Sequence, residues 1–147
     1  MKINVLKITA CFFLVFSLAA CHNSNDDDNA VTPNGGSNPT VITQGGGDWK
    51  VTYYFDKDKV ETSNFASYSF KFNADGSFES SDASSATGTW KVTDDDGSQR
   101  MVLSSGSASK PLTDLSDDWI LVSMSSTKIE LKDDNSEHLE ELHFEKI

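Results

Sequence analysis

Three histidines, two cysteines, many serines and several acid-rich runs are the residues in this 147-residue chain whose types could do chemistry. His138 and His143 are five apart, so on one strand they face opposite sides and share no metal, and His22 stands alone in a polar stretch. Asp94-Asp95-Asp96 and Asp133-Asp134-Asn135 offer hard oxygens for calcium. Asp and Asn are also ordinary turn formers, and neither run has the later bidentate acid of an EF-hand loop. Serine pairs such as Ser80-Ser81, Ser84-Ser85 and Ser104-Ser105 imply no histidine partner, and the chain has neither G-x-S-x-G nor a phosphate-cradling glycine loop. A catalytic carboxylate pair needs burial to separate its two pKa values, whereas these acids scatter over turns and wet strand faces. We therefore expect no enzyme, no metal and no cofactor.

The cysteines belong to a different chemistry. Lys2 and Lys7 precede an apolar run, Ile8 to Ala20, broken only by Thr9 and Ser17. Thirteen helical residues span about 20 Å, short of a roughly 30 Å hydrocarbon core, which fits a signal peptide better than a permanent span. The run ends in Leu18-Ala19-Ala20-Cys21, which resembles the lipobox of bacterial lipoproteins. The resemblance implies cleavage before Cys21, a diacylglyceryl thioether and an N-acyl chain on that residue, and attachment to the membrane through this anchor. With Cys11 leaving in the signal peptide and Cys21 lipidated, no thiol pair remains for a disulfide. Cleavage would also remove two lysines and no acid, moving the formal charge from −11 to −13.

Residues 21–47 are dominated by Asn, Asp, Ser, Thr, Gly and Pro, with only Val31, Val41 and Ile42 as bulky apolar residues. Such a composition reads as a flexible linker. Asp26-Asp27-Asp28 resembles the acidic export signal of some Bacteroidota lipoproteins, which implies an outer-membrane, surface-exposed position. A pI near 4.5 excludes a nucleic-acid partner, because phosphate binding needs a clustered cationic face.

From residue 48 the apolar period becomes two. Trp49, Val51, Tyr53 and Phe55 alternate with Lys50, Thr52, Tyr54 and Asp56, the pattern of a strand with one wet face. Tyr68, Phe70 and Phe72 repeat it, then Asn73-Ala74-Asp75-Gly76 supplies a turn and Phe78 resumes a strand. Trp90 and Val92, a second turn at Asp94-Asp95-Asp96-Gly97, Gln99 to Ser104, Trp119 to Met124, Thr127 to Leu131, and Leu142 with Phe144 complete eight candidate strands. The one helix-like piece is Pro111 to Ser116. Short turns without crossover helices predict an all-β, antiparallel, up-and-down barrel of eight strands over 48–147, with a two-sheet sandwich as the competing architecture.

Gly47-Asp48-Trp49-Lys50-Val51-Thr52 is echoed by Gly88-Thr89-Trp90-Lys91-Val92-Thr93. The first copy sits where lipocalins carry their G-x-W. With the N-A-D-G turn, the stretch from Pro111 to Trp119 and the closing Leu142-x-Phe144-Glu145-Lys146, the domain resembles the short lipocalin-like domains of Bacteroidota lipoproteins. The resemblance implies that Trp49 closes one barrel end, packed against a basic side chain from another strand. It also implies a cup for a small apolar or amphipathic ligand, for which Tyr53, Tyr68, Phe70, Phe72 and Trp90 are the candidate lining residues. The same aromatics could instead fill the barrel outright, leaving a surface module that meets a partner protein through its acidic loops. Periodicity does not choose between a hollow and a filled barrel.

Overall fold

The computed structural model describes residues 38–82 and 85–147. The expected signal peptide (1–20), Cys21 and the linker up to residue 37 lie outside the described residues. The strands are β1 (Trp49–Asp56), β2 (Lys59–Val60), β3 (Ser69–Phe72), β4 (Ser77–Ser81), β5 (Ala86–Asp95), β6 (Ser98–Ser105), β7 (Asp117–Met124), β8 (Lys128–Lys132) and β9 (Glu140–Lys146). All pairings are antiparallel, and β1 and β3 to β9 form an eight-stranded up-and-down ring, each strand beside its neighbours in the chain. The ring closes where β9 pairs with β1 from Trp49↔Lys146 to Asp56↔Glu140. The barrel expected from the sequence is the observed fold, and β2 is a two-residue addition on the other edge of β1.

The turns follow their residue types. Gly76 takes φ 84° in the Asn73–Gly76 turn, and Asp96 and Gly97 take φ 47° and 79° between β5 and β6, the two-residue arrangement that matches strand twist. Along β1, the register shifts between Val51 and Tyr53. This bulge reverses the phase: Trp49 and Val51 face inward, then Tyr54 does, while Tyr53 turns outward. The simple alternation expected for Tyr53 and Tyr54 is therefore inverted, because one extra residue exchanges the two faces. A second bulge between Leu121 and Ser123 does the same in β7, burying Trp119, Leu121 and Met124.

The seam between β1 and β3 has a single paired position, Trp49↔Phe70. A 3-10 turn at Thr62–Phe65 covers it. The Tyr54 amide donates to Thr62 Oγ1 at 2.9 Å, the Glu61 amide donates to the Tyr54 carbonyl at 2.9 Å, and the Phe65 ring meets Tyr54 edge-on at 5.3 Å. A second 3-10 turn, Leu112–Leu115, lies within the helix-like piece read from the sequence. It buries Leu112 and Leu115, and the Leu115 carbonyl accepts the Trp119 indole N–H at 3.0 Å.

At the opposite end, regular structure begins before β1. Thr40–Thr43 form one helical turn, and Ile42 is 1 % exposed within the core. One large apolar side chain suffices to dock a single turn, and period counting over a polar stretch does not register it. Lys146 ties this turn to the barrel: its Nζ donates to the Gln44 carbonyl at 2.8 Å and lies 5.3 Å from the Trp49 ring centroid. Gly47, at φ 95°, leaves room for the Lys146 chain, whose Cε would be 3.2 Å from an added Cβ.

Candidate binding surface at the barrel rim

Three of the five expected ligand-lining residues are spent on packing. Phe70, Phe72 and Trp90 are buried, and Phe72 alone meets Phe78, Trp90, Phe144 and Trp49 at centroid separations of 6.0, 5.7, 5.6 and 6.2 Å. Phe70 meets Phe144 at 5.5 Å. The Trp90 indole N–H donates to the Asn73 carbonyl at 3.0 Å, so its polar edge is also satisfied. Tyr68 is half-buried where β3 begins, between Phe65 and Phe70. Tyr53 stands on the outer face against the His143 ring at 5.1 Å. Trp49 occupies the barrel end with Lys146 as its basic neighbour. Cys21 lies outside the described residues.

Four open spaces lie at the surface of the described residues. One of about 400 Å³ runs past Asp48, Lys71, Glu79, Ser81 and Thr87 on the outside of β3, β4 and β5. Two of about 230 and 180 Å³ flank the Thr40–Thr43 turn. A fourth, of about 290 Å³, separates the two 3-10 turns and is lined by Glu61, Asn64, Lys110, Pro111 and Asp114.

Charge is distributed unevenly around these spaces. Arg100 gathers three carboxylates outside the barrel: Asp134 at 2.9 Å, Asp95 at 3.2 Å and Asp118 at 3.6 Å. It thereby clasps the β5–β6 hairpin, the start of β7 and the β8–β9 loop, and the hydrogen bond to Asp134 is the largest cause holding its guanidinium above the ordinary range. The acid runs flagged for calcium are used here as turn and clasp residues, and the described residues contain no group of three or more metal-ligating side chains. On the outer face, Glu130 accepts from Ser123 Oγ at 2.5 Å and pairs with Lys128 at 2.7 Å. These partners hold its carboxyl below the usual value, Lys128 most strongly. Ser123 is thus bonded to a carboxylate rather than a histidine.

The rim between the 3-10 turns has the opposite balance. Asp56 and Glu140 are directly opposed across β1 and β9. Burial, then Asp56 and Asp133, push the Glu140 carboxyl up to about 6. Burial, then Glu140, Asp114, Asp56 and Glu61, hold the Tyr54 phenol above its ordinary value. Asp56 Oδ1 is buried without a hydrogen-bond partner, its nearest cation being Lys57 at 3.9 Å. Lys110 supplies a cation at 3.1 Å from Asp114. Sequence reasoning missed this cluster because Tyr54 was assigned to the wet face. The two available signals were the adjacent aromatics Tyr53-Tyr54 and the Lys110-Pro111-x-x-Asp114 spacing.

Comparison of the chain with family models, curated proteins and solved structures finds no match. Function has to be argued from the chain's own residues.

Proposed function

We propose that this chain is a non-catalytic surface lipoprotein whose side-chain-filled, lipocalin-like barrel recognises a partner protein through its acidic rim. The observation that carries this reading is the packed interior: Phe70, Phe72 and Trp90, the residues that would line a ligand cup, are closed upon by Phe78, Phe144 and Trp49. An apolar or amphipathic ligand inside the barrel would have to displace these rings. The lipocalin-like reading draws support from Trp49 at the start of β1 with Lys146 beside it. The lipid anchor rests on Leu18-Ala19-Ala20-Cys21, and the surface location on Asp26-Asp27-Asp28.

Thermal melts across a panel of fatty acids and small metabolites are expected to show no shift. Cross-linking on intact cells is expected to trap one stoichiometric partner, lost when Glu61 and Asp114 are replaced by lysine. A melting shift with a fatty acid, together with no partner, overturns the reading. Labelled palmitate incorporation, abolished by Cys21→Ser, tests the anchor separately.

A further inference from the structure

Residues 38–47 lie against the barrel end that holds Trp49 and Lys146 without joining its sheet. The backbone amides of Val41, Ile42, Gln44 and Gly46 donate to the carbonyls of Asn38, Pro39, Thr40 and Thr43, all inside the same segment. Among the described residues, one hydrogen bond ties this segment to the barrel, from Lys146 Nζ to the Gln44 carbonyl at 2.8 Å. Its apolar anchorage is Ile42, 1 % exposed, with Val41 partly buried beside it. Gly45, Gly46 and Gly47 then lead into β1 at φ 74°, 63° and 95°. A Cβ at Gly45 or Gly46 would meet nothing within 4 Å, so this connection stands clear of the barrel. Glycine takes positive and negative φ about equally, and three in a row make a joint free to turn.

We infer that residues 38–47 form a hinged strap, which lifts from the barrel as a unit about residues 45–47 while the barrel itself stays closed.

The docked strap leaves gaps on both sides. A space of about 230 Å³ separates Pro39 and Thr40 from Trp90 and Val92 of β5. Another, of about 180 Å³, lies between Ile42 and Phe72. Thr43 and Ala74 border both spaces. Lifting Thr43 therefore joins them into one groove floored by Phe72, Ala74, Trp90 and Val92. The barrel's closure lies wholly on the other side of the hinge. β9 pairs with β1 from Trp49 onward, and the Ile147 amide donates to the Asp48 carbonyl at 2.8 Å. Opening the strap thus breaks no strand pairing; it costs the burial of Ile42 and the Lys146 bond. One helical turn has too few hydrogen bonds to persist alone in water, so its amides become exchangeable once it lifts.

Amide hydrogen exchange of the full chain in sub-denaturing urea, read residue by residue, tests this. The Gln44 amide is expected to be protected about tenfold or more over an unstructured peptide, yet to exchange roughly 100-fold faster than amides paired between β5 and β6. Its rate should be independent of urea, whereas the β5 and β6 rates rise steeply with urea. Gly46→Ala places an alanine at φ 63° without a clash, and should speed Gln44 exchange about fivefold. Ile42→Asp should leave the strap unprotected and the β5 and β6 amides still protected. A Gln44 rate that follows urea as the β5 and β6 rates do overturns the inference, as does a Gln44 amide with no protection in the unaltered chain. Loss of β5 and β6 protection in Ile42→Asp also overturns it, because the strap would then be part of the barrel's own fold. An unchanged Gln44 rate in Gly46→Ala refutes the hinge. None of these outcomes depends on the rim meeting a partner.

Discussion

Replacing Glu140 by Gln tests the electrostatics of the rim in depth. Glu140 faces Asp56 across the β1–β9 pairing, and burial with that neighbour raises its carboxyl from 4.5 to about 6. A raised carboxyl pKa means that the folded chain binds the proton more tightly than the unfolded chain does. The resulting stability is fully present below about pH 4.5 and is lost as pH rises through about 6. At 1.36 kcal/mol per pH unit the full effect would be about 2 kcal/mol, but water still reaches this carboxyl, and screening reduces it to about 1 kcal/mol. Glu140→Gln keeps the shape and removes the charge. Its thermal midpoint, followed by circular dichroism, should lie about 4 °C above the wild type near pH 7.5 and coincide with it near pH 4.5. Comparing the two proteins at each pH cancels other titrating groups, including Asp75 and Glu130, whose depressed carboxyls act in the opposite direction. Asp56→Asn should give part of the same gain, and the double variant should gain less than the sum. A difference independent of pH, or a lower midpoint for Glu140→Gln near pH 7.5, would refute the reasoning.

Further expectations concern packing and the outer clasp. Tyr54→Ala should cost about 3–5 kcal/mol in urea unfolding and Tyr53→Ala under about 1 kcal/mol, since the β1 bulge buries the first and exposes the second; equal costs would place the bulge elsewhere. Gly88→Ala would push a Cβ into the Phe78 ring and the Ser104 carbonyl and should destabilise by about 1–3 kcal/mol, read as a fall in the urea midpoint. Arg100→Gln leaves Asp95, Asp118 and Asp134 without their shared cation. Its melting temperature should fall more at low salt than at high salt, and a salt-independent loss would argue against an electrostatic role.

The strand positions were legible because nearly every inward side chain is large and every second outward one is polar, as in Phe70-Lys71-Phe72 and Trp90-Lys91. The Asp-Gly turn between β5 and β6 was legible for a different reason: both central residues need positive φ, which few residue types accept. What stayed hidden depends on one residue more or less. The bulges at Thr52 and Val122 exchange faces without altering composition, and they show in sequence only as the doublet Tyr53-Tyr54 and as the near-continuous run from Trp119 to Met124. Ile42 and Phe65 were hidden because each is a single anchor in a polar segment, fixed by a tertiary contact rather than by a period. The rim site depends on Tyr54 facing inward and on two turns far apart in the chain, so no local pattern contains it.

The central claim is that the cylinder is closed and its interior already occupied by its own aromatic rings. Crystals of the protein held under xenon pressure test this directly, because xenon enters dry apolar cavities. The account predicts no xenon inside the barrel. An ordered xenon site among Phe72, Trp90 and Phe144 would contradict it and return the interior to the status of a ligand cup.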